Sequence, residues 1–106
     1  MRITDENTED DNDLEAAALV DSGYEYNSLG QYERAIQDYD EAIRLNPQDA
    51  DAYNNRGYAY DELGQYERAI QDYDEAIRLD PQDAYAYINR GVAYDNLGQY
   101  EQAIQN

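Results

Sequence analysis

The chain has 106 residues, 25 of them acidic and 7 basic, for a formal net charge of -18, and it contains neither cysteine nor histidine. Disulfides, thiol catalysis and zinc–thiolate sites are therefore excluded, and the commonest general base and metal ligand is missing. Every basic residue is arginine, and so acidic a surface repels phosphate backbones and anionic lipid, which removes nucleic acid and membranes from the expected partners. Acid-rich, lysine-free surfaces are also what halophilic proteins present.

In chain order, residues 1–15 come first. They hold Asp5, Glu6, Glu9, Asp10, Asp11 and Asp13 with little to bury, which predicts a disordered acidic leader. Asn12 and Glu15 have the spacing of a capping box for the first helix. Asp11–Asn12–Asp13 only faintly matches a calcium loop, since the glycine and distal glutamate such a loop needs are missing. The leader lacks the basic and apolar regions of a secretory signal. No apolar run approaches the roughly 20 residues that span a bilayer. A soluble chain, in the cytoplasm, is expected.

From residue 16 the chain repeats itself. Leu29–Asp49 reads LGQYERAIQDYDEAIRLNPQD and Leu63–Asp83 reads LGQYERAIQDYDEAIRLDPQD, identical but for Asn46 against Asp80 and offset by 34 residues. Ala52–Tyr60 and Ala86–Tyr94 (AYNNRGYAY and AYINRGVAY) match likewise, and a further copy opens with LGQYEQAIQ at Leu97. Three units follow, at 16–49, 50–83 and an incomplete 84–106.

Each unit reads as two helices. In the second, Asp49 can cap a helix beginning at Ala50. Ala52, Tyr53, Arg56, Gly57, Tyr60 and Leu63 recur at three- and four-residue spacing. Gly64 closes that helix where a left-handed residue is wanted. Tyr66, Ala69, Ile70, Tyr73, Ala76 and Ile77 make a second stripe, and Asp80–Pro81 ends it. Gly57 and Ala69 are expected at the crossing of the two helices, where larger side chains would force the backbones apart. Every Gly-Gln-Tyr, including Gly98–Tyr100, is expected to turn between helices. No pair can bury its apolar stripe alone, so the units must stack.

These residues resemble the tetratricopeptide repeat, a 34-residue unit with a W-x2-L-G-x2-Y, A-x3-F, P pattern. Gly57, Tyr60, Ala69 and Pro81 fit that pattern directly. Tyr53 and Tyr73 stand for its tryptophan and phenylalanine, and Arg56 for its leucine. The first unit is more divergent, with Leu19, Ser22, Gly23 and Tyr26 at the corresponding places. The resemblance implies an all-α fold: a right-handed superhelical solenoid of antiparallel helix pairs, about two and a half repeats long.

An enzyme is not expected. Ser22 and Ser28 have no plausible base. Asp38/Asp40 recur as Asp72/Asp74 with the repeat, which points to a surface role, and Arg34–Asp38, Asp40–Arg44, Arg68–Asp72 and Asp74–Arg78 have the spacing of helix-face ion pairs worth ~0.2–0.5 kcal/mol each. No catalytic, cofactor or metal residues are assigned. The tyrosines Tyr26, Tyr39, Tyr60, Tyr73 and Tyr94 are expected in the core or at its rim.

The resemblance further implies a protein–protein interaction scaffold whose first helices line a concave face that receives a peptide or a partner helix. By register that face carries Val20, Tyr24, Asn27 and Ser28; then Asp51, Asn54, Tyr58, Asp61 and Glu62; then Tyr85, Ile88, Val92, Asp95 and Asn96. Asp51, Asp61, Glu62 and Asp95 favour lysine or arginine, so a basic ligand is expected. One subtype of the family clamps a carboxylate with lysines and asparagines. Asn55 fits it, but Val20 and Tyr85 stand at the lysine places and Tyr24 at a second asparagine place, so no such clamp is expected. Arg56 and Arg90 are expected to pack their stems between helices and pair with local acids. The alternative is a structural array segment that self-associates through its uncapped ends, the incomplete third repeat above all. A decoy or chaperone for basic proteins is a weaker third reading.

Overall fold

The computed structural model describes residues 8–105. They form five helices, α1 (Thr8–Ser28), α2 (Tyr32–Leu45), α3 (Ala50–Glu62), α4 (Tyr66–Leu79) and α5 (Ala84–Gln105), and no strand is found among them. The helices stack into a rod of 69 × 28 × 18 Å. The expected solenoid of antiparallel pairs is present, with α1–α2 and α3–α4 as complete pairs.

Local chemistry sets the boundaries of α3 and α4. The Asp49 side chain accepts a 3.0 Å bond from the backbone N–H of Asp51, capping α3. Gly30 and Gly64 take φ of +76° and +79°, the left-handed conformation that ends α1 and α3 and that a side chain would strain. The Asn46 and Asp80 side chains each accept from a backbone N–H two residues on, at 3.2 Å, tightening the turn around the proline.

Alanines fill much of the core. Ala35, Ala42, Ala52, Ala59, Ala69, Ala76, Ala86 and Ala93 are fully buried, which lets neighbouring helices approach closely. The bulk comes from Tyr39 and Tyr73, the largest fully buried side chains, rings that typically bury about 150–250 Å² each. Each lies over a glycine. A methyl group placed on Gly57 would sit 2.8 Å from Cε1 of Tyr73 and 3.1 Å from the carbonyl of Ala69, and one on Gly23 would sit 2.6 Å from Cε1 of Tyr39. The crossing expected at Gly57 and Ala69 is thus formed.

Four expectations are corrected. First, α1 begins at Thr8, so residues 8–15 of the expected leader are helical. Asn12–Glu15 lies inside that helix and cannot cap it, and Asp11–Asn12–Asp13 is helix and not a loop. Residues 1–7 of the leader lie outside the described residues. Acids in the first turn suit the positive end of the helix dipole, which composition alone does not register.

Second, Gly98–Gln99–Tyr100 does not turn: α5 is one continuous helix from Ala84 to Gln105. Among the described residues no helix folds back over its first half, so Tyr94 is 53% exposed where Tyr60 is half-buried.

Third, Asp38 and Asp72 are buried and not on a solvated face.

Fourth, of the four helix-face ion pairs only Arg34–Asp38 forms, at 3.1 Å. Asp72 pairs with Arg56, Asp40 also with Arg56, and Asp74 with Arg90, each at 2.8 Å. Arg44 and Arg78 turn instead to Glu41 and Glu75, three residues back. The stacking of helices brings the arginines of α3 and α5 nearer these carboxylates than their own helix neighbours are. The roles expected for Arg56 and Arg90 are met.

Candidate functional site

A groove of about 860 Å³ opens along one side of the stack. Its floor and walls come from α1, α3 and α5, the first helix of each unit. Tyr24, Asn27 and Ser28 contribute from α1, Asp51, Asn54, Asn55 and Tyr58 from α3, and Tyr85 and Asn89 from α5. Tyr32 closes it at the start of α2, and Asp80 and Asp83 close it at the turn before α5.

The three tyrosines of the first helices stand out into solvent, with Tyr24 62%, Tyr58 41% and Tyr85 73% exposed. The Tyr32 ring meets the Tyr58 ring edge-on, centroids 6.4 Å apart, and its hydroxyl donates to Glu62 at 3.4 Å. Rings held this way present flat apolar surface at little entropic cost on binding.

The amides are partly committed to the fold. Asn27 is buried, and its Nδ2 donates to the Tyr39 hydroxyl at 3.1 Å and to the backbone carbonyl of Asn55 at 3.2 Å, tying α1 to both α2 and α3. Asn89 donates to the Asn54 side chain at 3.3 Å, bridging α5 and α3 across the groove floor.

The charge is one-sided. Asp51, Asp80 and Asp83 line the groove and no arginine does. Burial, and then the neighbouring Asp49, Asp83 and Asp80, push the Asp51 carboxyl above the ordinary aspartate value of 3.8.

Of the residues expected by register, Tyr24, Asn27, Ser28, Asp51, Asn54, Tyr58 and Tyr85 come together here. The others lie outside the groove lining. Val20 is half-buried in α1. Asp61 is buried and accepts a 3.1 Å bond from Asn96, so both of these staple α3 to α5. Glu62 is exposed beside Tyr32, while Ile88, Val92 and Asp95 are exposed on α5. Ile88 and Val92 hold the register of Asn54 and Tyr58, but no described helix stands beyond α5 to form a facing wall. Tyr32, Asn55, Asp80, Asp83 and Asn89 join the lining without having been expected there. For Asn89 a signal existed, since it lies 34 residues after Asn55.

Comparison with known proteins bears on this geometry. Family models match as a TPR repeat over residues 23–64 and as a tetratricopeptide repeat over 50–83 and again over 72–105. The chain is 35% identical to the second TPR of Spaghetti (RPAP3) bound to the HSP90 peptide SRMEEVD, with 90% of this chain covering 88% of that one at a TM-score of 0.79. It is 33% identical to the Arabidopsis OM64 TPR domain (87% and 76% covered, TM-score 0.80). With the second TPR domain of human RPAP3, in complex with the HSP70 peptide SGPTIEEVD, it shares 34% identity (89% and 78% covered, TM-score 0.78). No curated protein matches the chain. The repeat, its stacking and these likenesses agree: the chain belongs to the tetratricopeptide repeat family, whose domains are protein-interaction modules.

Proposed function

We propose that the chain is a non-catalytic scaffold whose groove holds a basic peptide or partner helix. The observation that carries this reading is that three aspartates converge on the groove without a compensating cation. Asp51 holds its charge against its neighbours' repulsion, and a lysine or arginine brought alongside would relieve it. Tyr24, Tyr58 and Tyr85 supply aromatic surface for the rest of the ligand. Two of the structural neighbours, both RPAP3 domains, bind peptides that end in EEVD; this chain has no lysine with which to meet such an end, so its preference runs the other way.

Isothermal titration separates the two signs of ligand. A lysine- and arginine-rich peptide is expected to bind with an affinity that falls as salt rises, and the acidic SRMEEVD peptide to give no heat. Asp51→Asn with Asp80→Asn weakens the basic peptide about tenfold. The second change reproduces Asn46 of the first unit, so the turn is retained. Tighter binding of the acidic peptide than of the basic one rejects the proposal. Self-association is a second reading, favoured by the exposed apolar side chains of α5.

A further inference from the structure

Arginine meets tyrosine and aspartate together, again and again, within this fold. Arg34 lies 4.8 Å from the centroid of the Tyr26 ring and bonds Asp38 at 3.1 Å. Arg56 lies 5.7 and 5.8 Å from the Tyr53 and Tyr60 centroids and bonds Asp72 at 2.8 Å. Arg90 lies 5.5 Å from the Tyr87 centroid and bonds Asp74 at 2.8 Å. A guanidinium is planar, so its face can rest on a ring while its edge donates to a carboxylate; a lysine ammonium is a point charge without such a face.

The groove repeats the tyrosine and the acid without the arginine. Tyr24, Tyr32, Tyr58 and Tyr85 line it, and among the described residues no guanidinium lies over any of these rings. Two stations result. At one, Tyr85 donates its backbone N–H to Asp83 at 3.0 Å, and Asp51 and Asp80 line the same end. At the other, Tyr58 and Tyr32 meet edge-on beside Glu62. Asp51 and Tyr58 lie on one ridge of α3, two turns apart, which is ~10 Å at the helical rise. Three residues of extended polyproline-II backbone cover about the same length. Asn27, 8% exposed in the groove wall, keeps its Oδ1 without a partner among the described residues, an acceptor suited to a ligand N–H.

We propose that the groove selects arginine over lysine, each ligand guanidinium stacking on a groove tyrosine and bonding the carboxylate beside it. The inference rests on the groove being the site for a basic peptide, as set out above, and narrows the class of that peptide to one bearing arginines three positions apart.

Titration of the whole chain with two peptides of equal charge, GRSSRG and GKSSKG, tests it. The arginine peptide is expected to bind at least about tenfold more tightly. Tyr58→Leu and Tyr85→Leu keep apolar bulk but remove the aromatic face, and each is expected to cut that preference to about threefold or less. Both rings are exposed, so far-UV circular dichroism of the variants should match that of the parent chain. Equal binding of the two peptides, or tighter binding of the lysine one, overturns the selectivity and leaves the basic-peptide reading standing. A preference that survives intact in both variants also overturns it, since the arginines are then recognised away from these rings. Failure of either peptide to bind overturns the basic-peptide reading itself and this inference with it.

Discussion

Arg56 grips Asp72 with two parallel bonds, Nε to Oδ2 and Nη2 to Oδ1, both 2.8 Å long, across the crossing of α3 and α4. Its remaining Nη1 reaches Asp40 on α2, also at 2.8 Å, so one guanidinium joins three helices. Burial pushes the Asp72 carboxyl above the ordinary range against the pull of Arg56. Arg56→Ala would leave that carboxylate buried and unpaired and is expected to destabilise the chain by about 3 kcal/mol. The double variant Arg56→Met, Asp72→Leu should recover most of the loss. Urea unfolding of the three proteins checks this; a double variant no more stable than Arg56→Ala would contradict it.

The glycines should respond in opposite senses. Gly64→Ala places a side chain at φ +79° and is expected to cost about 1 kcal/mol. Gly98→Ala falls inside α5, where the added methyl meets nothing within 4 Å, and is expected to add up to about 1 kcal/mol. Melting temperatures that move the same way for both would show that Gly98 lies in a turn after all.

Tyr39 and Tyr73 occupy equivalent places but differ at the hydroxyl. That of Tyr39 accepts a bond from Asn27, whereas that of Tyr73 is buried with no partner among the described residues. Tyr39→Phe is therefore expected to cost about 1 kcal/mol and Tyr73→Phe to be neutral or stabilising. Equal losses in chemical denaturation would refute the distinction.

Asp51 makes stability depend on pH in an unusual direction for a carboxylate. Its folded value lies above its unfolded one. The native state therefore holds the proton longer, and this group's contribution grows as pH falls through the window just above 3.8 and is lost as pH rises. Asp51→Asn should raise the melting temperature at neutral pH, and the gain should vanish on acidification through that window. The same change weakens a basic ligand in the groove, so fold and binding pull in opposite directions at this position. A gain that persists unchanged at low pH would exclude the electrostatic cause.

Much of the fold was legible because the repeat states each rule twice. Gly57 and Ala69 at a crossing, Asp49 as a cap and Gly64 as a helix end follow from spacing and backbone chemistry. What escaped is non-local. Leu97–Gly98–Gln99–Tyr100 is the same tetrapeptide that turns at Gly30 and Gly64, and the difference shows in what packs around it: Gly57 seats Tyr73, and Gly91 seats nothing. The partners of Arg56 escaped for the same reason, since spacing along one helix says nothing of the carboxylates on the next. In the groove, the tyrosines and Asp51 could be placed by register. Asp80 and Asp83 could not, because they sit on a turn that only the stacking of α5 on α4 brings to the rim.

Among the described residues, each helix touches only helices one or two places away in the chain. Contacts so close in sequence make folding quick to nucleate and let it spread outward from any single hairpin. They also divide the resistance to unfolding: α3 and α4 have neighbours on both sides, whereas α1 and α5 have them on one. Amide hydrogens in the central hairpin should thus be the last to exchange, with the outer helices fraying first. A ligand lying across all three units would stitch those loosely held ends to the middle, so its occupancy would be felt as stiffness along the whole rod.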